Sequence, residues 1–493
     1  MSTAHQHTQP HRHQRPQSPA ADRPPRGHDT TMTRYLAHIP RSGLAALLIL
    51  LIQGSALSAQ STSISDSSPD SPPPTTTFSH PEGSRWWLSG QLNLISQAHG
   101  DFPSAYEGDN SLRSHREQAL SSVWTIYTGV QLSKHTELLF DIESAGGRGL
   151  SDALGVAGFT NLDVVRNPTL GSKPYVARVM LHQTIALSRE TATVTRGPLS
   201  LATEQATRRL EIRAGKLGLV DFFDLNAAGS DSHLQFTNWT VDNNGAYDYA
   251  ADTRGYTWAV IVEYNTPTWS IRGAEALMPT VANGITMDWN IARARGENVE
   301  LELHLPDGLV FRALGYLNHA NMGSYEEAIQ AFRAGTEAKP DIEAHRLQGR
   351  RKYGVGANLE YAIAKTVRVF GRAGWNEGHN ESFAYTEVNN CVQAGADMSG
   401  RRWNRNQDRL GVAAVSNGLS DPHREYLALG GLGFLLGDNA LRYAREDILE
   451  AYYTAHLWRG VSASGGLQYI DHPGYNVDRG PVLVGMARLH VDF

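Results

Sequence analysis

The chain closes on Arg479-Gly480-Pro481-Val482-Leu483-Val484-Gly485-Met486-Ala487-Arg488-Leu489-His490-Val491-Asp492-Phe493. In an extended strand, side chains alternate between two faces. Leu483, Gly485, Ala487, Leu489, Val491 and Phe493 then share one face, and Val482, Val484, Met486, Arg488, His490 and Asp492 share the other. The first face suits lipid, and the second becomes polar toward the chain end. Termini fray unless they are tied down, so an apolar strand ending on an aromatic needs a partner. A closed barrel supplies one, because lipid tolerates no open sheet edge. The closing stretch therefore predicts an all-β fold, a transmembrane antiparallel β-barrel whose last strand pairs with its first.

The rest of the chain fits that expectation. Its 493 residues carry a net charge of −6 and 47 glycines. Mean hydropathy is −0.37, which excludes a polytopic helical membrane protein but not a barrel, where outward and inward faces cancel. No basic stripe points to nucleic acid. The single cysteine, Cys391, forms no internal disulfide and belongs to no metal or redox motif.

Residues 1–31 are rich in His, Pro, Arg and Gln, with His5, His7, His11 and His13 as loose metal donors that no core pattern surrounds. Met32 then opens a secretory signal: Arg34 and Arg41, an apolar run from Leu44 to Ile52 too short to span a bilayer, and small residues Ala56, Ser58 and Ala59. Met32 is expected to be the true initiator, residues 1–31 a mis-called extension and 32–59 the signal peptide. Residues 60–84, dense in Ser, Thr, Pro and Asp, read as a disordered leader. The barrel is expected over 85–493.

From Arg85 the period is two, with turns rich in Gly, Asn, Asp and Pro. About sixteen strands are expected, enough for a water-filled lumen. Trp86, Trp124, Tyr256, Trp269, Tyr353, Trp375, Tyr453 and Trp458 fall near strand ends, as interfacial girdles require. One stretch departs: Asn321 to His345 carries Tyr325, Ala328, Ile329, Phe332 and Ala338 at helical spacing, which predicts a helical insertion in a long loop.

By alternation, the inward candidates for sugar contact or pore lining are Asp141, Arg178, Arg209, Glu211, Arg213, Glu300, Glu302, Arg368, Arg372, Glu446 and Glu450. Arginine donates in a fixed fork and stays charged. Arginines opposed to carboxylates would set a transverse field across a lumen. Each of these charges either meets solute or simply pairs with a neighbour in the wall. Glu446 and Glu450 also raise a glycosidase reading. Four residues along a strand span roughly 13 Å, beyond the separation either glycosidase mechanism uses. No Gly-x-Ser-x-Gly elbow, phosphate loop or His-Glu-x-x-His motif appears. Asp221, Asp224 and Asp438 lack the ligand density of a calcium loop. No catalytic residue, cofactor or metal is expected.

The C-terminal third resembles the carbohydrate-selective porin (OprB) family. Gly431-Leu432-Gly433-Phe434-Leu435-Leu436-Gly437-Asp438, Tyr443-Ala444-Arg445-Glu446-Asp447-Ile448-Leu449-Glu450-Ala451-Tyr452-Tyr453, Gln468-Tyr469-Ile470, His472-Pro473-Gly474-Tyr475-Asn476 and Asp478-Arg479-Gly480-Pro481-Val482 carry the likeness. Gly215-Lys216-Leu217, Asp221 to Asp224, Leu317 to Tyr325 and Arg409-Leu410-Gly411-Val412-Ala413 extend it. The resemblance implies a sixteen-stranded barrel in the Gram-negative outer membrane that passes mono- or small oligosaccharides by facilitated diffusion. It implies outer-membrane lipid around the barrel and a terminal strand, ending at Phe493, that the barrel-assembly machinery reads. Which sugar and which oligomeric state it leaves open. A general-diffusion porin, a barrel enzyme and an adhesin are the alternatives.

Overall fold

The computed structural model describes residues 76–81, 83–165 and 170–493. The expected N-terminal extension, the signal peptide and the leader as far as residue 75 lie outside the described residues. From residue 76 to the first strand the described backbone is neither helix nor strand.

Among the described residues there are eighteen strands. They are β1 (Trp86–His99), β2 (Glu117–Ser133), β3 (Thr136–Gly147), β4 (Tyr175–Ala186), β5 (Thr191–Thr193), β6 (Glu204–Ala206), β7 (Arg209–Leu217), β8 (Thr257–Asn265) and β9 (Trp269–Leu277). They continue as β10 (Arg295–His304), β11 (Leu309–Met322), β12 (Leu347–Ala364), β13 (Val367–Asn376), β14 (Asn390–Ser399), β15 (Arg409–Gly418), β16 (Glu446–Trp458), β17 (Val461–Asp471) and β18 (Val482–Asp492). All but β5 and β6 form one closed antiparallel barrel of sixteen strands. β5 and β6 make a separate ribbon in the connection between β4 and β7.

The barrel closes where the sequence expects. β18 pairs antiparallel with β1 from Gln91↔Asp492 to His99↔Val484. The two faces of β18 separate cleanly: Leu483 is 56% and Leu489 40% exposed, whereas Val484 is 0% exposed. The same alternation covers the barrel exterior, with Val260 and Val262 on β8, Val299 and Leu301 on β10, and Val355 and Leu359 on β12 turned outward. This apolar belt is the surface a bilayer covers.

The two rims differ. One carries short links, such as Lys134-His135, Thr266-Pro267-Thr268, Lys365-Thr366 and Arg459-Gly460. The other carries long connections, of which 218–256 is one. Short turns mark the periplasmic side of such barrels and long loops the outer side.

The helical insertion is α2 (Tyr325–Arg333), and it packs on α3 (Asp421–Ala428) from the connection between β15 and β16. Ser324 caps α2 by accepting the Glu327 N–H at 3.4 Å. The ring of Tyr325 stacks on His423, with centroids 4.2 Å apart. The helix is shorter than its spacing suggested. Gly335, with φ of 74°, turns the chain out of the helix, and Ala338 lies beyond it, exposed.

Candidate functional site

The connection from Gly218 to Tyr256 folds into the barrel, and α1 (Trp239–Asp242) lies within it. Asn238 caps α1, its side chain accepting the Thr240 N–H at 3.0 Å. Polar groups on the strands hold this segment by its backbone, which is how a loop without a sheet of its own satisfies buried N–H and C=O groups. Arg372 donates to the carbonyls of Asp224 and Val241, each at 3.3 Å, and pairs with the Asp224 carboxylate at 3.1 Å. Glu450 accepts the N–H groups of Thr237 and Asn238 at 2.7 and 3.1 Å. Glu300 accepts the Asp224 N–H at 2.7 Å, and Arg272 donates to the Phe222 carbonyl at 3.0 Å. Arg488 donates to the carbonyls of Ser232 and Gln235, both at 2.9 Å.

These tethers come from β9, β10, β13, β16 and β18. The segment also meets β1, β3 and β4, through His233 beside Gln91, Tyr256 donating to Glu143 and Asp221 accepting from Arg178, and an open cleft of about 260 Å³ lies among these contacts. Tyr127, Glu143, Tyr175 and Arg178 line it from the strands, and Asp221, Trp239, Arg254 and Tyr256 line it from the inserted segment. The Glu143 carboxylate accepts three hydroxyls: Thr125 at 2.9 Å, Tyr175 at 2.5 Å and Tyr256 at 2.9 Å. The Arg254 guanidinium sits over the Tyr175 ring, 3.9 Å from its centroid. Deeper in the segment, Trp239 stacks on Tyr385 at 4.6 Å and 12°, and Tyr249 stacks on the same ring at 5.7 Å and 11°. Aromatic faces thus border a passage whose edges are hydroxyls and charges. Tyr256 had been expected at a membrane interface. It ends the inserted segment instead, and its hydroxyl points to Glu143.

The eleven residues singled out by alternation divide into groups. Arg178 lines the cleft, pairs with Asp141 behind it, and reaches Asp221 at 2.6 Å. Most of the others belong to a ladder of opposite charges running across neighbouring strands. Glu137 and Glu211 flank His182 at 3.1 and 3.0 Å. Glu211 also takes Arg209 at 2.5 Å and pairs with Arg213, which reaches Glu263 at 2.8 Å. Arg272 joins Glu263 and Glu302, each at 3.0 Å, and pairs with Glu300, while Arg312 joins Glu302 at 2.9 Å. Further round, Arg368 pairs with Asp397 at 2.5 Å.

Arg372 and Glu450 are tethers of the inserted segment. Glu446 is a tether too: it accepts the N–H of Ala157 at 3.0 Å and of Gly474 at 2.8 Å, so one carboxylate holds two outer loops. Alternation alone missed Glu143, Tyr175, Arg254 and Tyr256. Glu143 was legible as a strand residue on β3, but nothing local marked the three hydroxyls that meet it.

A profile described as carbohydrate-selective porin, OprB family, matches residues 109–493. The OprB structure of Pseudomonas putida determined at high pH superposes with a TM-score of 0.62 at 15% identity, covering 83% of this chain and 94% of that one. The outer-membrane channel DcaP of Acinetobacter baumannii superposes with a TM-score of 0.47 at 11% identity, covering 85% of this chain and 100% of that one. No curated protein matches the sequence. The profile spans well over half of the chain, and the closed sixteen-stranded barrel agrees with it. The protein belongs to the carbohydrate-selective porin (OprB) family and is a carbohydrate porin of the Gram-negative outer membrane.

Proposed function

We propose that saccharides cross by passive diffusion through the cleft between the inserted segment and the wall from β1 to β4, with Tyr175, Tyr256, Arg178, Arg254 and Glu143 as the contacts. One observation carries this reading: aromatic faces and polar edges converge on an open cleft between the inserted segment and the strands β1 to β4. A sugar ring offers C–H faces to the aromatics and hydroxyls to the charges. Weak contacts of this kind let a solute enter and leave. The charge ladder, on this reading, orders the wall and supports the segment.

The protein performs no catalysis on this reading. Glu446 and Glu450, the carboxylates that raise the glycosidase alternative, are fully buried and occupied by backbone amides. Lipid covers the apolar belt, and the terminal strand ending at Phe493 is read by the assembly machinery. Self-association is compatible with this arrangement.

The test is single-channel conductance in planar bilayers, with and without glucose and a disaccharide. Block by sugar at millimolar concentrations is expected. Conductance that no sugar reduces would make the protein a general-diffusion porin, and absence of conductance would end the channel reading.

A further inference from the structure

We infer that the periplasmic hairpin built on β5 and β6, residues 187–208, is a second constriction beneath the cleft, and that it selects saccharides by length, passing monosaccharides more readily than linear trisaccharides. The inference rests on the cleft being the solute path, as proposed above.

The hairpin belongs to the rim of short links. Thr136, beside the link Lys134-His135, pairs with Gln183 near the end of β4, and Arg209 at the start of β7 pairs with Asn265, beside the link 266–268. Those links only turn the chain, whereas this one folds back into the mouth of the barrel. At its tip Gly197 and Ser200 exchange backbone hydrogen bonds at 2.8 and 3.2 Å, and the chain then carries Leu201 onto the inner wall. Leu201 is 1% exposed, and its N–H donates to the Glu137 carboxylate on β3 at 3.0 Å. Its side chain fills the space left by Gly129 on β2, where an added Cβ would stand 3.0 Å from Leu201 and 2.7 Å from Leu139. Arg196 ties the hairpin to the start of β1. It donates to the carbonyls of Pro81 and Ser84 at 2.7 and 2.9 Å and lies over Trp87, 5.3 Å from the ring centroid.

These contacts place the hairpin directly below the cleft. Inward positions recur at every second residue of a strand, roughly 7 Å apart. Gly129 is the next inward position after Tyr127, and Met180 the next after Arg178. Tyr127 and Arg178 line the cleft, and among the described residues Gly129 and Met180 do not. Leu139 and Met180 are 0% exposed and share one apolar cluster with Leu201 and Trp87. The polar lining of the cleft therefore ends on an apolar seal, and Leu201 is the part of that seal supplied by the hairpin rather than by a strand. A saccharide leaving the cleft toward the periplasm has to turn off this wall around the Pro198-Leu199 tip or displace it. A single ring can make that turn. A linear chain of three rings has to bend there while its trailing ring is still held by the aromatics behind.

Pore bore and lining set what a channel passes. Liposome swelling and single-channel conductance of the purified full-length chain test the inference. Replacing residues 191–206 by Gly-Ser-Gly should raise conductance about twofold and bring the swelling rate for maltotriose toward that for glucose, because the narrowest bore limits both. The midpoint of glucose block should stay the same, since the cleft contacts remain in place. Leu199→Cys keeps the hairpin and gives a second readout if the replacement fails to assemble. A bulky water-soluble thiol reagent added from the periplasmic side, with labelling confirmed by mass, should lower conductance by about half. The native thiol, Cys391, is buried. A maltotriose-to-glucose ratio that is the same with and without the hairpin overturns the inference, and so does a Leu199→Cys channel that fails to label or that conducts equally after labelling. Glucose separates the inference from the reading it rests on. Block by glucose with an unchanged length ratio sinks only the role of the hairpin. Length discrimination that vanishes with the hairpin, in a channel no sugar blocks, sinks only the saccharide contacts of the cleft.

Discussion

The N–H of Phe493 donates to the Gly90 carbonyl at 2.9 Å, and the Gly90 N–H returns the bond to the Phe493 carbonyl at 2.7 Å. The last residue of the chain is thereby stitched into the first strand of the barrel. Its ring lies over Gly90, where an added Cβ would stand 2.5 Å from the aromatic carbon. Gly90 is the reason an aromatic terminus fits at the seam.

The seam predicts two outcomes. Gly90→Leu overpacks it and should destabilise the closed barrel by about 1–3 kcal/mol, seen as loss of the heat-modifiable folded band on a gel. Deleting Phe493 should reduce assembly in the outer membrane more than it alters conductance. An effect confined to conductance would contradict the role given to the seam.

Arg372 and Arg368 separate the anchoring of the inserted segment from the charge of the wall. Arg372→Ala leaves the buried Asp224 carboxylate without its partner, at a cost of about 3–5 kcal/mol. Thermal stability should fall, single-channel conductance should rise or become noisy as the segment loosens, and sugar block should weaken. Arg368→Ala breaks a pair with Asp397 that does not touch the segment, so glucose block should stay unchanged. Equal loss of block in both variants would refute the division between tether and ladder.

Tyr175 predicts the strength of sugar contact. Tyr175→Ala removes one aromatic face and the platform under Arg254. Glucose block should weaken about fivefold, corresponding to roughly 1 kcal/mol. Tyr175→Phe keeps the face and drops one hydroxyl from Glu143, so it should retain most of the block. The concentration dependence of conductance block measures both.

His423 predicts a pH response of the outer loops. Burial against α2 holds its imidazole below the ordinary value of 6.5, and Glu387 only partly opposes this. Unfolded chain therefore takes up a proton that the packed loops refuse. The contribution to loop stability is complete above the ordinary pKa and declines as pH falls below it. Amides of α2 and α3, corrected for intrinsic rates, should exchange hydrogen faster at pH 5.5 than at pH 7.5. Equal protection at both values would remove His423 from the account.

Much of the barrel was legible because lipid outside and polar interior inside impose a strict period of two, and most strands obey it. β14 was the hardest to read. Its Ala394, Gly395 and Ala396 leave little contrast between faces, and pairing with β13 and β15 supplies what local pattern lacks. The helix was legible in place but overrun in length, since the stop at Gly335 depends on a left-handed backbone angle. The inward charges were legible as inward, and their partners were not. Alternation assigns a face to Glu300 or Arg372, but it does not say which residue from a distant strand or loop will meet it.

The chain by itself determined a closed antiparallel barrel sealed by its last strand, because alternation along a strand and the ban on open edges in lipid are local or chain-wide constraints. Where the passage runs was decided only by tertiary structure. Arg372 and Glu450 lie far from residues 218–256 in sequence, and their bonds to that segment draw it across the lumen. The segment in turn brings its own Tyr256 to Glu143, which Tyr175 also meets, a grouping that exists only once the barrel has closed.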